Sequence, residues 1–217
     1  MTMLFYALVL CLAISWSVDA RRSDYVSHIQ PYTYTSWGSW GFDEWCAAGS
    51  YAYGFRLKVE GKQGGSNIWG RGGDDTALNG IELLCRTYCG SHTNKVTSSV
   101  GPWGSWRSTK ICPAHYFLKG ASARSEKRQG SGDDTAANNY NFLCQHSQHA
   151  SHTFPLNGDG MSWGSWSTRR DCPSGSYICG IQTQVEPKQG RGDDTALNDA
   201  KFYCCRLIRT SCVGRRR

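Results

Sequence analysis

Trp163-Gly164-Ser165-Trp166 stands six residues before Cys172, and the second aspartate of Gly192-Asp193-Asp194-Thr195-Ala196 stands ten residues before Cys204. The same two blocks occur twice more. Trp37-Gly38-Ser39-Trp40 leads to Cys46, and Gly73-Asp74-Asp75-Thr76-Ala77 leads to Cys85. Trp103-Gly104-Ser105-Trp106 leads to Cys112, and Gly132-Asp133-Asp134-Thr135-Ala136 leads to Cys144. Self-similarity at a fixed period determines architecture before any local reading does. The chain is one unit of roughly 60 residues written three times. The first unit carries an insert of seven residues between Gln63 and Asp74.

Between the blocks the hydrophobic period is two, which is the signature of strands. Phe55, Leu57 and Val59 alternate with Arg56, Lys58 and Glu60, and Ile181, Thr183 and Val185 alternate with Gln182, Gln184 and Glu186. After each aspartate pair a second strand follows, with Ile81-Leu83-Cys85, Tyr140-Phe142-Cys144 and Ala200-Phe202-Cys204 on one face. The second unit has the smallest inward residues, Ala121, Ala123 and Ser125. No long segment carries a helical stripe, so the chain is all-β. A β-trefoil uses shorter units. Three four-stranded sheets forming the sides of a prism fit this length, each turning its apolar face to a shared core. The paired tryptophans are large enough to be expected in that core, with the intervening glycine allowing close backbone approach.

Leu4 to Ile14 is an apolar run too short to span a bilayer, and Val18-Asp19-Ala20 suits a cleavage site. The expectation is a signal peptide over 1–20, with loss of Asp19 raising the net charge of +7 by one. No other run is long enough for a membrane span. Ten cysteines remain after Cys11 is removed, a number that fits an oxidising, extracellular compartment. A cytosolic enzyme, a membrane protein and a disordered tail are excluded by this composition. The expected layout is an N-terminal segment over 21–35, one prism domain over 36–206 with repeats at about 36–92, 102–152 and 162–206, and a basic tail over 207–217.

The motifs resemble the vitelline membrane outer layer protein I family. Trp-Gly-Ser-Trp carries the likeness, together with Cys-Pro-Ser-Gly leading to Cys-Gly-Ile-Gln-Thr-Gln-Val-Glu over Cys172 to Glu186. Gly-Asp-Asp-Thr-Ala-Leu-Asn and Phe-Tyr-Cys-Cys over Gly192 to Cys205 complete it. It covers roughly residues 35 to 206. The resemblance implies a disulfide-stabilised β-prism of three Greek-key sheets, secretion, and a role in an extracellular coat such as the outer layer of an egg's vitelline membrane. It also implies, as an alternative, transfer reactions on N-acetylglucosamine oligomers. The seven-residue insert, Cys89, Cys212 and the arginine-rich tail depart from the family's pattern.

The aspartate pairs are the candidate catalytic residues: Asp74 and Asp75, Asp133 and Asp134, Asp193 and Asp194. Glycoside chemistry needs two carboxylates in unlike environments. A pair that recurs in near-identical context three times answers a need of the fold instead, because Gly-Asp-Asp-Thr is Asx-turn chemistry. The structural reading is preferred. Among the cysteines, Cys46–Cys85, Cys112–Cys144 and Cys172–Cys204 pair most simply within units. Cys204 and Cys205 point to opposite faces of a strand and so take different partners. Cys179–Cys205 and Cys89–Cys212 would complete the set, but ten cysteines admit many pairings and the sequence leaves the choice open.

Arg191-Gly192-Asp193 spells an integrin-type tripeptide but coincides with the repeat's turn. His146, His149 and His152 have the spacing of metal ligands on a helical turn, yet stand in a polar connection. No metal and no cofactor is expected. No nucleophile elbow, phosphate loop or zinc-protease motif is present, and nothing resembles a nucleic-acid module. The leading expectation is a secreted, extracellular structural and binding protein whose partners are glycoproteins or N-acetylglucosamine-containing glycans. The alternative is an enzyme acting on N-acetylglucosamine oligomers. A cationic antimicrobial has only the charge in its favour.

Overall fold

The computed structural model describes residues 21–61, 77–127, 136–188 and 196–212. Three short strands open the chain: β1 (Tyr25–Ile29), β2 (Ser39–Trp40) and β3 (Glu44–Trp45). The first sheet is then built from β4 (Ser50–Val59), β5 (Leu78–Thr87), β6 (His92–Thr97), β7 (Ser105–Trp106) and β8 (Lys110–Ile111). The second repeats it with β9 (Tyr116–Ser125), β10 (Ala137–His146), β11 (Thr153–Leu156), β12 (Ser165–Trp166) and β13 (Arg170–Asp171). The third takes β14 (Ser176–Val185) and β15 (Leu197–Arg206) from the end of the chain and β1, β2 and β3 from its beginning.

Each sheet has four positions, the outermost filled by two short strands in line, so there are five strands per sheet rather than four. Spatial order in the first sheet is β6-β5-β4-β7, with β8 also on β4. Three consecutive antiparallel strands followed by a return beside the first is a Greek key. The third sheet has the same order with the chain ends falling inside it, β1-β15-β14-β2. The architecture is a β-prism of three Greek-key sheets. Segment 21–35, expected to precede the domain, supplies β1 as an edge strand, with Ile29 opposite Phe202.

The repeat and the sheet are out of phase by one strand. Each Trp-Gly-Ser-Trp block pairs with the sheet of the preceding unit: Trp106 faces Lys58, Trp166 faces Arg124, and Trp40 closes the ring by facing Gln184. The glycine explains the motif. Gly38, Gly104 and Gly164 all have positive φ, and a Cβ at Gly104 would lie 2.4 Å from the backbone of Val59 and Glu60. Buried asparagines anchor two of the blocks, Asn79 accepting from the Trp103 N–H and Asn198 from the Trp37 N–H.

The tryptophans do not fill the core. Five of the six in these blocks are half-buried and Trp166 is exposed. The second tryptophan of each block lies under a cation, with Lys201 3.8 Å from the Trp40 ring centroid, Arg56 4.8 Å from that of Trp106 and Arg124 5.8 Å from that of Trp166. The axis is filled by Phe55, Phe142 and Phe202, one from each sheet, with ring centroids 4.4 and 5.1 Å apart along the series. Leu57, Leu78, Ile81, Leu83, Leu118, Ile178 and Ile181 complete it. The alternating residues reach the axis because every second side chain of a strand points inward.

Five disulfides join Cys46 to Cys85, Cys112 to Cys144, Cys172 to Cys204, Cys179 to Cys205 and Cys89 to Cys212. The three that recur in the repeat lie at one end of the prism, beside the turns that start β4, β9 and β14. Each of those turns is capped by a cation from the neighbouring sheet. Arg22 donates to the carbonyls of Ala47 and Ser50, Arg86 to those of Pro113 and Tyr116, and Lys119 to those of Pro173 and Ser176. Residues 207–212 cross this cystine end, with the Leu207 N–H bonded to Gly175 and the Ile208 N–H to the Tyr51 hydroxyl.

Candidate functional site

The six candidate aspartates, Asp74, Asp75, Asp133, Asp134, Asp193 and Asp194, lie outside the described residues, as do Arg191-Gly192-Asp193 and the terminal arginines. The strand ends that flank them are described. Glu60, Glu126 and Glu186 each donate a backbone N–H to the carbonyl of Ala77, Ala136 and Ala196, at 2.8, 3.4 and 2.7 Å. Ala77 and Ala196 are buried with φ of 50°, a left-handed backbone that non-glycine residues rarely adopt. The three glutamates are therefore a repeated feature of the loop base, as the aspartates are of the sequence motif.

The histidines at 146, 149 and 152 do come together, with ring centroids 4.9 to 6.1 Å apart, on a turn and not a helix. His146 Nδ1 accepts the backbone N–H groups of Gln148 and His149. That leaves the proton on Nε2 and neither nitrogen ready to ligate. Among the described residues no group of three His, Cys, Asp or Glu side chains is placed to hold a metal ion.

Aromatic and polar groups come together on the outer face of the third sheet. Gly180 on β14 leaves the sheet bare, and a Cβ there would meet the rings of Trp45 and Tyr203 at 3.0 and 3.1 Å. Trp45 stacks on Tyr203 with centroids 4.4 Å apart and planes 20° from parallel. Tyr25 packs edge-on against both. The Tyr203 hydroxyl donates to Asp43 Oδ1 at 2.5 Å, and burial, together with that carboxylate, pushes its pKa far above the ordinary phenol value. Gln182 Oε1 lies 3.2 Å from the Tyr203 hydroxyl and 3.4 Å from Lys201 Nζ. Lys201 in turn sits 3.8 Å over the Trp40 ring. Phe42, 87% exposed, stands at the edge. Tyr203 is buried beneath the half-buried rings of Trp45 and Tyr25, and such ring surface bordered by a carboxylate, an amide and an ammonium can pack one face of a sugar ring while pairing with its hydroxyls.

Residues 27–207 match the family model for vitelline membrane outer layer protein I. The chain belongs to the vitelline membrane outer layer protein I family. The human vitelline membrane outer layer protein 1 homolog is 42% identical over 187 residues, covering 85% of this chain and 86% of its own. The mouse homolog is 41% identical over 174 residues, covering 78% and 79%. Among solved structures, single-chain recombinant jacalin superposes with a TM-score of 0.51 at 12% identity, covering 86% of this chain and 98% of that one. A mannose-binding lectin from Champedak gives 0.50 at 9%, covering 85% and 99%. These likenesses establish the β-prism fold.

Within this member of the vitelline membrane outer layer protein I family, the third-sheet site escaped the sequence reading because it joins residues 25–45 to residues 182–203. A signal was present in the breaks of the repeat. Trp45 stands before its cysteine where the other units have Ile111 and Asp171, and Tyr203 stands where they have Leu84 and Leu143.

Proposed function

We propose that this protein is a secreted, non-enzymatic component of an extracellular coat or fluid that holds glycans on the outer face of its third sheet. The observation that carries the reading is the Trp45–Tyr203 stack bordered by Asp43, Gln182 and Lys201. Five disulfides support an oxidising compartment, since such bonds persist where thiols are not kept reduced. Family membership supports the coat. The Champedak lectin, described as mannose-binding, is a precedent for a sugar on this fold. N-acetylglucosamine oligomers and mannose oligomers are the ligands to test first.

Binding of these oligomers is measured by calorimetry, with chain lengths followed by mass spectrometry in the same samples. Asp43→Asn, which keeps an oxygen for the Tyr203 hydroxyl, and Lys201→Ala are expected to weaken binding at least tenfold, the scale of a charged hydrogen bond of about 1.5–3 kcal/mol. Unchanged affinity in both variants refutes this face as the site. New chain lengths in the wild-type sample would instead make the protein a glycosyl-transferring enzyme.

A further inference from the structure

The pseudo-threefold pattern breaks at the cystine end. The fourth residue of the long strand is Tyr53 in the first sheet and Cys179 in the third, both buried in a second apolar cluster. In the second sheet it is Lys119. Beside Lys119 a groove of about 550 Å³ opens between the end of β10, the 171–175 turn and the tail residues Leu207 and Arg209. That volume falls within the usual range of a small-ligand site. What the fold needs at this end is supplied three times; this groove draws in addition on the tail, which no repeat contains.

Its polar groups are mostly donors. Lys119 is 6% exposed, and two of its three ammonium protons go to the Pro173 and Ser176 carbonyls, leaving a third. Arg209 uses one NH2 group on the Ser147 carbonyl, and its remaining guanidinium protons have no other partner among the described residues. His146 carries its proton on Nε2, because Nδ1 accepts two backbone N–H groups. Burial, then the neighbouring His149, His115 and His152, hold its pKa below the ordinary imidazole value, so at neutral pH it is a neutral donor. The one lining carboxylate, Asp171, has both oxygens engaged by Arg169 at 2.7 and 3.1 Å. Gln145, Gln148 and Ser174 add amide and hydroxyl groups.

We propose that this groove binds an oxyanion carried on a sugar, a carboxylate or sulfate of an acidic glycan residue, with Arg209, Lys119 and His146 as its donors and Cys89–Cys212 holding the Arg209 tail in place. Cationic and N–H donors beside a single carboxylate that Arg169 already engages favour an anion, and charge-assisted hydrogen bonds are the strong ones. The amides and hydroxyl suit the ring hydroxyls. The site lies apart from the third-sheet face and does not depend on it.

The test titrates the oxidised, full mature chain with N-acetylneuraminic acid, glucuronic acid, 6-sulfo-N-acetylglucosamine, neutral N-acetylglucosamine and inorganic sulfate, read by backbone NMR shifts. Shifts at Gln145–Gln148 and Ser174–Gly175 with an acidic sugar, absent with the neutral one, are expected; the carboxylated and sulfated sugars separate the two anion sources. Arg209→Gln should weaken binding at least tenfold. Cys89→Ser/Cys212→Ser should do the same while leaving the four other disulfides and the core shifts intact, which separates a freed tail from an unfolded protein. Saturating neutral oligosaccharide should not displace the acidic sugar. Equal affinity for neutral and acidic sugars, inorganic sulfate binding as tightly as the sugars, or wild-type affinity in both variants, overturns the proposal.

Discussion

At the scale of single residues, two glycines separate a steric clash from the cost of a left-handed backbone. Gly104 and Gly175 share a φ of +72°, yet an added Cβ strikes backbone at Gly104 and meets nothing within 4 Å at Gly175. A left-handed L-residue costs about 1–2 kcal/mol. Gly175→Ala should lose that much in urea unfolding, and Gly104→Ala clearly more, because a clash with rigid strand backbone is added. Equal losses would show that the Trp-Gly-Ser-Trp glycine answers only to φ. Asp199 is buried, its carboxylate held by the Ala200 N–H and the Gln30 amide, and burial raises its pKa above the ordinary carboxylate value. The folded state therefore keeps this proton more tightly than the unfolded chain. That contribution is complete below the unfolded carboxylate's pKa and is lost as pH rises through the raised one. The second unit has Asn139 at this place with the same backbone bond from Tyr140. Asp199→Asn should match the wild type in stability near pH 3 and exceed it near pH 7, with the gap opening as the carboxylate ionises. A gap that narrows with rising pH would contradict the assignment.

At the scale of elements, the long strands were plain in the sequence and their partners were not. Phe55, Leu57 and Val59 reach the core as their alternation requires, and so do Ala121 and Ala123, whose small side chains are offset by the large Phe142 on the neighbouring strand. The Trp-Gly-Ser-Trp blocks were misread because bulk suggested a core position, whereas Gly geometry and a two-residue pairing fix them outside. Which sheet a block joins depends on the crossover, and chain order alone does not carry that. The turn caps were invisible for a related reason. One role is met by Arg22 before β1, Arg86 on β5 and Lys119 on β9, three positions that no alignment of the units superposes. Arg86→Met removes the guanidinium from over the Tyr53 ring and leaves two carbonyls without their donor. A loss of about 1–3 kcal/mol is expected, readable as several degrees in Tm. An unchanged Tm would reduce the caps to surface contacts.

At the scale of the whole molecule, the disulfides divide into those inside the fold and one across it. Cys46–Cys85, Cys112–Cys144, Cys172–Cys204 and Cys179–Cys205 are buried and close segments of 26 to 39 residues, whereas Cys89–Cys212 is exposed and spans 123. Exposed bonds are the more readily reduced. Mild reductant should therefore release the tail first, with the far-ultraviolet spectrum preserved until the buried bonds open. Simultaneous loss of all five would mean that the prism opens before its strap does. The aspartate motif, legible from the first, served to define the repeat; the third-sheet face and the cystine-end groove both came from places where the repeat fails.

The third sheet has a further consequence, for the order in which the protein is made. Its β1, β2 and β3 leave the ribosome first, and β14 and β15 leave last. At about 5–20 residues per second the early strands wait on the order of ten seconds for their partners. Until then Trp45 and Tyr25 are bare apolar surface on a nascent chain. The final registration of Trp45 against Tyr203 is thus a completion mark: a chain truncated before β15 lacks it, and presents those rings to whatever in the cell retains unfinished proteins.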